Sequence, residues 1–269
     1  MTTTVQEEIK EIKNEEQNLG AEEVLLVQEM AENGLLYGLN KSKTHPKMKP
    51  YIYTTRSGVE IINLESSVKK LAEAREFLKN VSASGKSVLL VGTTPAAKNA
   101  VKEIAEKTGC PYVNERWLGG TLTNFKAISE RIKHYNKLVS DRETGALNKY
   151  TKKERVLIEK KLEKMKNLFE GISKVTELPG AMLILDIKDN DTAAREAKEL
   201  NIPIVALINT DTDPTYVNYA IPSNNRLESS VQWVLNNLND SLIKAVIAPV
   251  QKEAPKARPE VKKEESQTK

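Results

Sequence analysis

A chain of 269 residues, 39% hydrophobic and 29% charged, can bury one sizeable core; its single cysteine, Cys110, excludes an internal disulfide and a multi-cysteine zinc site. The 41 Lys and Arg against 37 Asp and Glu leave a formal net charge of only +4, which by itself names no partner. The two histidines, His45 and His134, are far apart, no run approaches the ~18 apolar residues of a membrane span, and the acidic start is unlike a secretory signal, so a soluble cytoplasmic protein without a metal is expected.

Taken in chain order, residues 1–18 are polar and acidic and are expected to be disordered. From 19 to 32, Val24, Leu25, Val27 and Met30 recur at helical spacing, and Asn33-Gly34 ends the pattern. Residues 33–56 then carry five basic side chains (Lys41, Lys43, Lys47, Lys49 and Arg56) and no acidic one. Such local concentration suggests a surface that faces a polyanion, and an ordinary solvated face fits the charge alone equally well. Pro46 and Pro50 limit the freedom of that loop. Residues 51–53 and 59–62, around Ser57-Gly58, predict a β-hairpin, and Asn63 is placed to cap a helix bearing Leu64, Val68, Leu71, Leu78 and Val81.

From there, short Val/Ile/Leu runs alternate with helical patterns. Strands are predicted at 87–91, 182–185, 204–208 and 218–221, and helices at 95–108, 192–200 and 226–246. This alternation implies a doubly wound α/β fold, a parallel sheet covered on both faces. Residues 126–172 break the rhythm. Ile128, Ile132, Tyr135 and Leu138 form one stripe; Ile158, Leu162, Met165, Leu168 and Ile172 form another; a turn-like patch at 141–145 separates them. They predict two antiparallel helices of about 20 residues, each about 30 Å long, inserted as a basic helical hairpin that buries only its own seam. Residues 126–170 hold 13 basic and 7 acidic side chains. From 249 to 269, Pro, Lys, Glu and Ala without apolar periodicity predict a second disordered tail. The expected division is thus a tail at 1–18, an α/β domain over 19–125 and 173–248 with the hairpin 126–172 inserted, and a tail at 249–269.

Motifs for chemistry are weak. Ser84-Gly85-Lys86-Ser87 resembles the end of a P-loop, but Asn80 stands where the second glycine belongs, and a helix precedes while a strand follows. A helix stop explains it better. Residues 91–95, Val-Gly-Thr-Thr-Pro, end a core strand and open a helix, which reads as a structural turn first, then as a phosphate contact. Asp186, Asp211 and Asp213 follow strands and read as caps or turn formers. Residues 114–125 place Trp117 and Phe125 around the Gly119-Gly120 pair beside Arg116: a flexible turn anchored by two aromatics, in which Thr121 or Thr123 can cap the next helix.

That segment, NERWLGGTLTNFKAI over 114–128, resembles the signature of the small-ribosomal-subunit protein two family, through Trp117, Gly119, Gly120, Thr121, Asn124 and Phe125. Pro46-Lys47-Met48-Lys49-Pro50, Ile61-Ile62-Asn63-Leu64, Ile202-Pro203-Ile204, Asp213-Pro214 and Ile221-Pro222 resemble further family blocks in order and spacing, covering about residues 30 to 247. The resemblance implies a flavodoxin-like doubly wound domain with a coiled-coil hairpin of the bacterial type. It also implies a non-enzymatic part in the small subunit, contact with its rRNA and neighbouring proteins, and in many bacteria recruitment of ribosomal protein one; no cofactor or small-molecule substrate is implied. The chain differs from the family pattern at Leu36–Leu39, at Thr44-His45, at Asp186-Ile187 and within residues 223–226.

Lysines that neutralise phosphates release counterions, and A-form RNA is read by shape and backbone. Lys43, Lys47, Lys49, Arg116 and the hairpin residues Lys149, Lys152 and Lys153 are the expected rRNA contacts, with Trp117 and Phe125 as packing anchors. Aromatics at 5% argue against a platform of stacked bases. Two rivals stand beside this reading: a nucleotide-dependent enzyme on the same fold, and a protein scaffold without an RNA role.

Overall fold

Side chains alternate between two cores along the central strands of a five-stranded parallel sheet. The computed structural model describes residues 21–243 apart from Lys174 and Thr176; both expected tails lie outside the described residues. The sheet consists of β4 (Val88–Val91), β5 (Tyr112–Val113), β6 (Ala181–Ile184), β7 (Ile204–Ile208) and β8 (Tyr219–Pro222), in the order β5-β4-β6-β7-β8. Counted within the sheet this is 2-1-3-4-5, the flavodoxin-like order of a doubly wound fold. Val88, Leu90, Leu183, Val205 and Leu207 face one core, while Leu89, Val91, Met182, Ile184 and Ala206 face the other. A strand buried on both faces needs continuous apolar sequence, which is why these runs stand out in the chain.

The first core is closed by α1 (Ala21–Glu32), α2 (Leu64–Ala83), α3 (Pro95–Thr108) and α7 (Glu228–Leu242). Asn63 caps α2 as expected, its side chain accepting from the Ser66 amide. Gly85, at φ 77, stops that helix before β4, so the P-loop-like residues form a helix end. The last helix stops at Leu242, short of the expected span, whose residues 244–246 lie outside the described part.

The second core is closed by α4 (Phe125–Glu143), α5 (Lys152–Phe169) and α6 (Asp191–Glu199). Helices α4 and α5 pack on each other through Ile132, Tyr135, Leu162 and Phe169, and the Tyr135 and Phe169 rings lie 6.4 Å apart. Two expectations change here. Helix α4 runs through the supposed turn at 141–145 as far as Glu143, and Thr151 starts α5 with a capping box to Glu154. The seam is also not the hairpin's own, because Ile128, Ile132, Phe169 and Ile172 are continuous with the body's second core.

A small antiparallel sheet sits outside the large one. Its hairpin strands β2 (Ile52–Arg56) and β3 (Val59–Ile62) were legible, but β1 (Tyr37–Asn40) was not, and the order is β1-β3-β2. Gly38 lets β1 approach the C-terminal end of β7, since a Cβ there would lie 2.5 Å from Thr210 Cγ2. The Leu39 amide donates to Thr210 Oγ1 at 2.9 Å.

Candidate nucleic-acid interface

The basic segment between β1 and β2 folds into two short 3-10 turns, Lys41–Lys43 and Pro46–Tyr51. Met48, fully buried, plugs it into the second core, and the His45 amide donates to the Thr210 carbonyl at 2.8 Å. These anchors hold the loop across the end of β7. Lys43 and Lys49 are left exposed and make no ion pair among the described residues. Lys47 differs. Its ammonium reaches Asp213 Oδ2 at 2.8 Å and Thr215 Oγ1 at 3.0 Å. The hydrogen bonds from Lys47 and Thr215 hold the Asp213 carboxyl far below the usual carboxylate range.

The other predicted contacts are scattered. Arg116 is exposed between Glu115, whose carboxylate pairs with Lys98 at 2.6 Å, and buried Trp117. Lys152 and Lys153 are exposed in the first turn of α5. Lys149 ends the 3-10 turn before it, and its side chain lies outside the described part.

The aromatic–glycine segment turns out to be a cage for a carboxylate. Glu196 on α6, 7% exposed, accepts from Trp117 Nε1 at 3.0 Å and from the amides of Gly120 at 2.8 Å, Leu122 at 2.9 Å and Thr123 at 3.2 Å. The Thr123 hydroxyl donates to it as well, at 3.3 Å. Burial pushes this carboxyl up, and the donors from Trp117, Leu122, Gly120 and Thr123 outweigh it, leaving it below the usual glutamate value. So the segment is not a flexible turn. Gly120 takes φ 84, a left-handed conformation that closes the turn, whereas Gly119 does not, and a Cβ on Gly119 would meet open space. Neither threonine caps α4: Thr121 Oγ1 donates to the Leu118 carbonyl, Thr123 serves Glu196, and Asn124 holds the cap position without a side-chain bond. Glu196 escaped the sequence reading. The signal for it was an acidic residue inside the buried alanine face of Ala193, Ala194 and Ala197.

The strand-end aspartates do what caps and turn formers do. Asp186 Oδ1 accepts from the Lys188 and Asp189 amides at 2.9 and 3.4 Å, Asp211 pairs with Lys188 at 2.8 Å, and Asp213 caps the turn Pro214–Tyr216. Asp186 Oδ2 is buried without a hydrogen bond, and Arg226 stands 3.9 Å from it. Burial, aided by the charge of Asp189, pushes the Asp186 carboxyl above its usual value. Among the described residues no His, Cys, Asp and Glu group could hold a metal ion, and no helix is long and apolar enough to cross a membrane.

With this geometry in place, comparison with known proteins decides the family. A model of the family described as ribosomal protein S2 matches residues 30–245. The small ribosomal subunit protein uS2 of Coprothermobacter proteolyticus is 37% identical over 220 residues, which is 82% of each chain. The chain belongs to the ribosomal protein S2 family. The matched range spans the anchored basic loop, the Glu196 cage and the α4–α5 pair. Several of these loops also meet in space. Gly38 packs on Thr210, the His45 amide bonds Thr210, Asn225 accepts from Asn209 at 3.0 Å, and Arg226 faces Asp186, all at the C-terminal ends of β6, β7 and β8.

Proposed function

We propose that this ribosomal protein S2 family member is a structural constituent of the small subunit that binds rRNA through its phosphate backbone and shape, without catalysis. The observation that carries this is the basic loop. Met48 and the end of β7 hold it in place, so Lys43 and Lys49 are presented to a polyanion without the entropic cost of ordering a free loop. The hairpin, a coiled-coil arm in the family's pattern, adds a second contact. Lys152 and Lys153 stand at the positive end of the α5 dipole, an arrangement unfavourable in isolation that an incoming phosphate relieves. Neighbouring subunit proteins are the expected protein contacts. The nucleotide-enzyme alternative finds no support at Lys86, which follows a helix stop and precedes a strand.

A salt series tests the reading. Lys43→Ala with Lys49→Ala should weaken binding to small-subunit rRNA and make the slope of log affinity against log salt shallower by about 1.4–1.8, since each phosphate contributes about 0.7–0.9. Adding Lys47→Ala should change the slope little, because its ammonium already belongs to Asp213. A double variant with the wild-type slope would remove the loop from the RNA interface.

A further inference from the structure

Strands β7 and β8 are parallel neighbours, yet residues 209–218 join them with only the 3-10 turn Pro214–Tyr216. Without a crossover helix, a concavity of about 310 Å³ stays open between this turn, the end of α6 and the chain entering β7. Its wall is fixed, because Asn218 Oδ1 accepts from the Ile204 amide at 2.9 Å, and Ile202 and Ile204 are buried. Of three groups at its mouth, Lys198 and Tyr216 are in cation–π contact with each other, and the Asn201 amide is left over. The Tyr216 ring is 48% exposed; the Lys198 ammonium lies 5.4 Å from the ring centroid; the Asn201 side-chain amide makes no hydrogen bond among the described residues. The concavity also borders the basic loop, since Thr215, on its rim, accepts from Lys47 at 3.0 Å.

A ring to stack on, a free amide and a cation beside them match the parts of a nucleotide. We propose that this concavity takes one unpaired nucleotide of a bound RNA, its base stacked on Tyr216, its edge bonded by Asn201 and its phosphate neutralised by Lys198. The volume suits a group of that size. Low aromatic content excludes a platform for many bases, but one base needs one ring. The inference rests on the RNA-binding reading and adds to it a point where unpaired structure, rather than duplex shape alone, is selected.

The test uses the full chain and two RNA duplexes of one sequence, fully paired or carrying a single bulged nucleotide. Wild type should prefer the bulged duplex by about 5- to 150-fold, the range of base–aromatic stacking. Tyr216→Ala should erase that preference and leave the paired duplex as tightly bound as before, while Tyr216→Phe keeps it. Lys198→Gln should lower the salt slope on the bulged duplex by about 0.7. Circular dichroism checks the fold of each variant. If wild type binds both duplexes equally, or Tyr216→Ala retains the preference, the pocket proposal fails and RNA binding stands. If wild type binds neither, both fail. Adenosine or uridine monophosphate competing at the concentration of the bulged RNA would overturn the proposal in favour of a small-molecule site.

Discussion

Trp117 and Glu196 are 79 residues apart in the chain and 3.0 Å apart in the structure, indole nitrogen to carboxylate oxygen. The bond ties the loop after the edge strand β5 to α6, which lies beneath the same face of the sheet. It makes residues 114–123 a structural clasp, and its energetics can be measured.

Glu196→Ala should cost about 3 kcal/mol in chemical denaturation at pH 7, because buried donors lose a charged acceptor. Trp117→Phe should cost less in the Glu196→Ala background than in wild type, since the partner is already gone. The carboxyl is held below its usual value of 4.5, so its contribution is complete above that value and fades as pH falls through the lower, folded-state one. A wild-type advantage over Glu196→Ala that stays constant from pH 7 to pH 2 would contradict the cage.

Asp186 carries the opposite sign. Burial raises its carboxyl above the usual 3.8, so the folded state favours the neutral form and stability falls as pH rises through that window. Asp186→Asn should therefore gain stability relative to wild type as pH rises above 3.8, and the gain should vanish below that value. Thermal melts of both proteins across pH 3 to 8 decide it; a destabilised variant at pH 8 would mean that Arg226 compensates the charge fully.

The two adjacent glycines should behave differently. Gly120→Ala forces a side chain into φ 84 with Asn124 Cβ at 3.2 Å, and should cost about 1–2 kcal/mol. Gly119→Ala meets nothing within 4 Å and should stay within about 0.5 kcal/mol of wild type. Equal losses would show that flexibility, not conformation, is what the pair supplies.

Replacing residues 141–150 with a short Gly-rich turn should leave the body folded, because the cut lies at the far end of the α4–α5 pair. Phe169→Ala, at the base, should cost about 3–5 kcal/mol, as it opens a cavity in the shared core. If the tip replacement unfolds the whole protein cooperatively, the hairpin cannot be treated as a separable arm.

The α/β architecture was legible from the chain because its strands are buried on both faces. Burial demands continuous runs such as residues 88–91 and 204–208, and Asn63 and Gly85 mark where a helix begins and ends. Strand β5 escaped because two residues carry no period, and β1 because its burial is partial and its partner, β3, lies about twenty residues further on. The alanine face of α6 likewise hid Glu196: sequence shows that a charge interrupts the face, but the four donating residues come from another part of the chain.

By itself the sequence determined the alternation of strand and helix, the basic character of residues 33–56, and the family to which segment 114–128 points. These are local properties, set by composition, periodicity and order. Tertiary structure alone decided that Lys47 is engaged by Asp213 while Lys43 and Lys49 are not, that Met48 anchors the loop, and that Tyr216 and Lys198 face one concavity. Each of these joins residues from distant parts of the chain. Hydrogen bonds and close ion pairs form only at a few ångströms, so which groups they couple is settled only once the fold has set the distances.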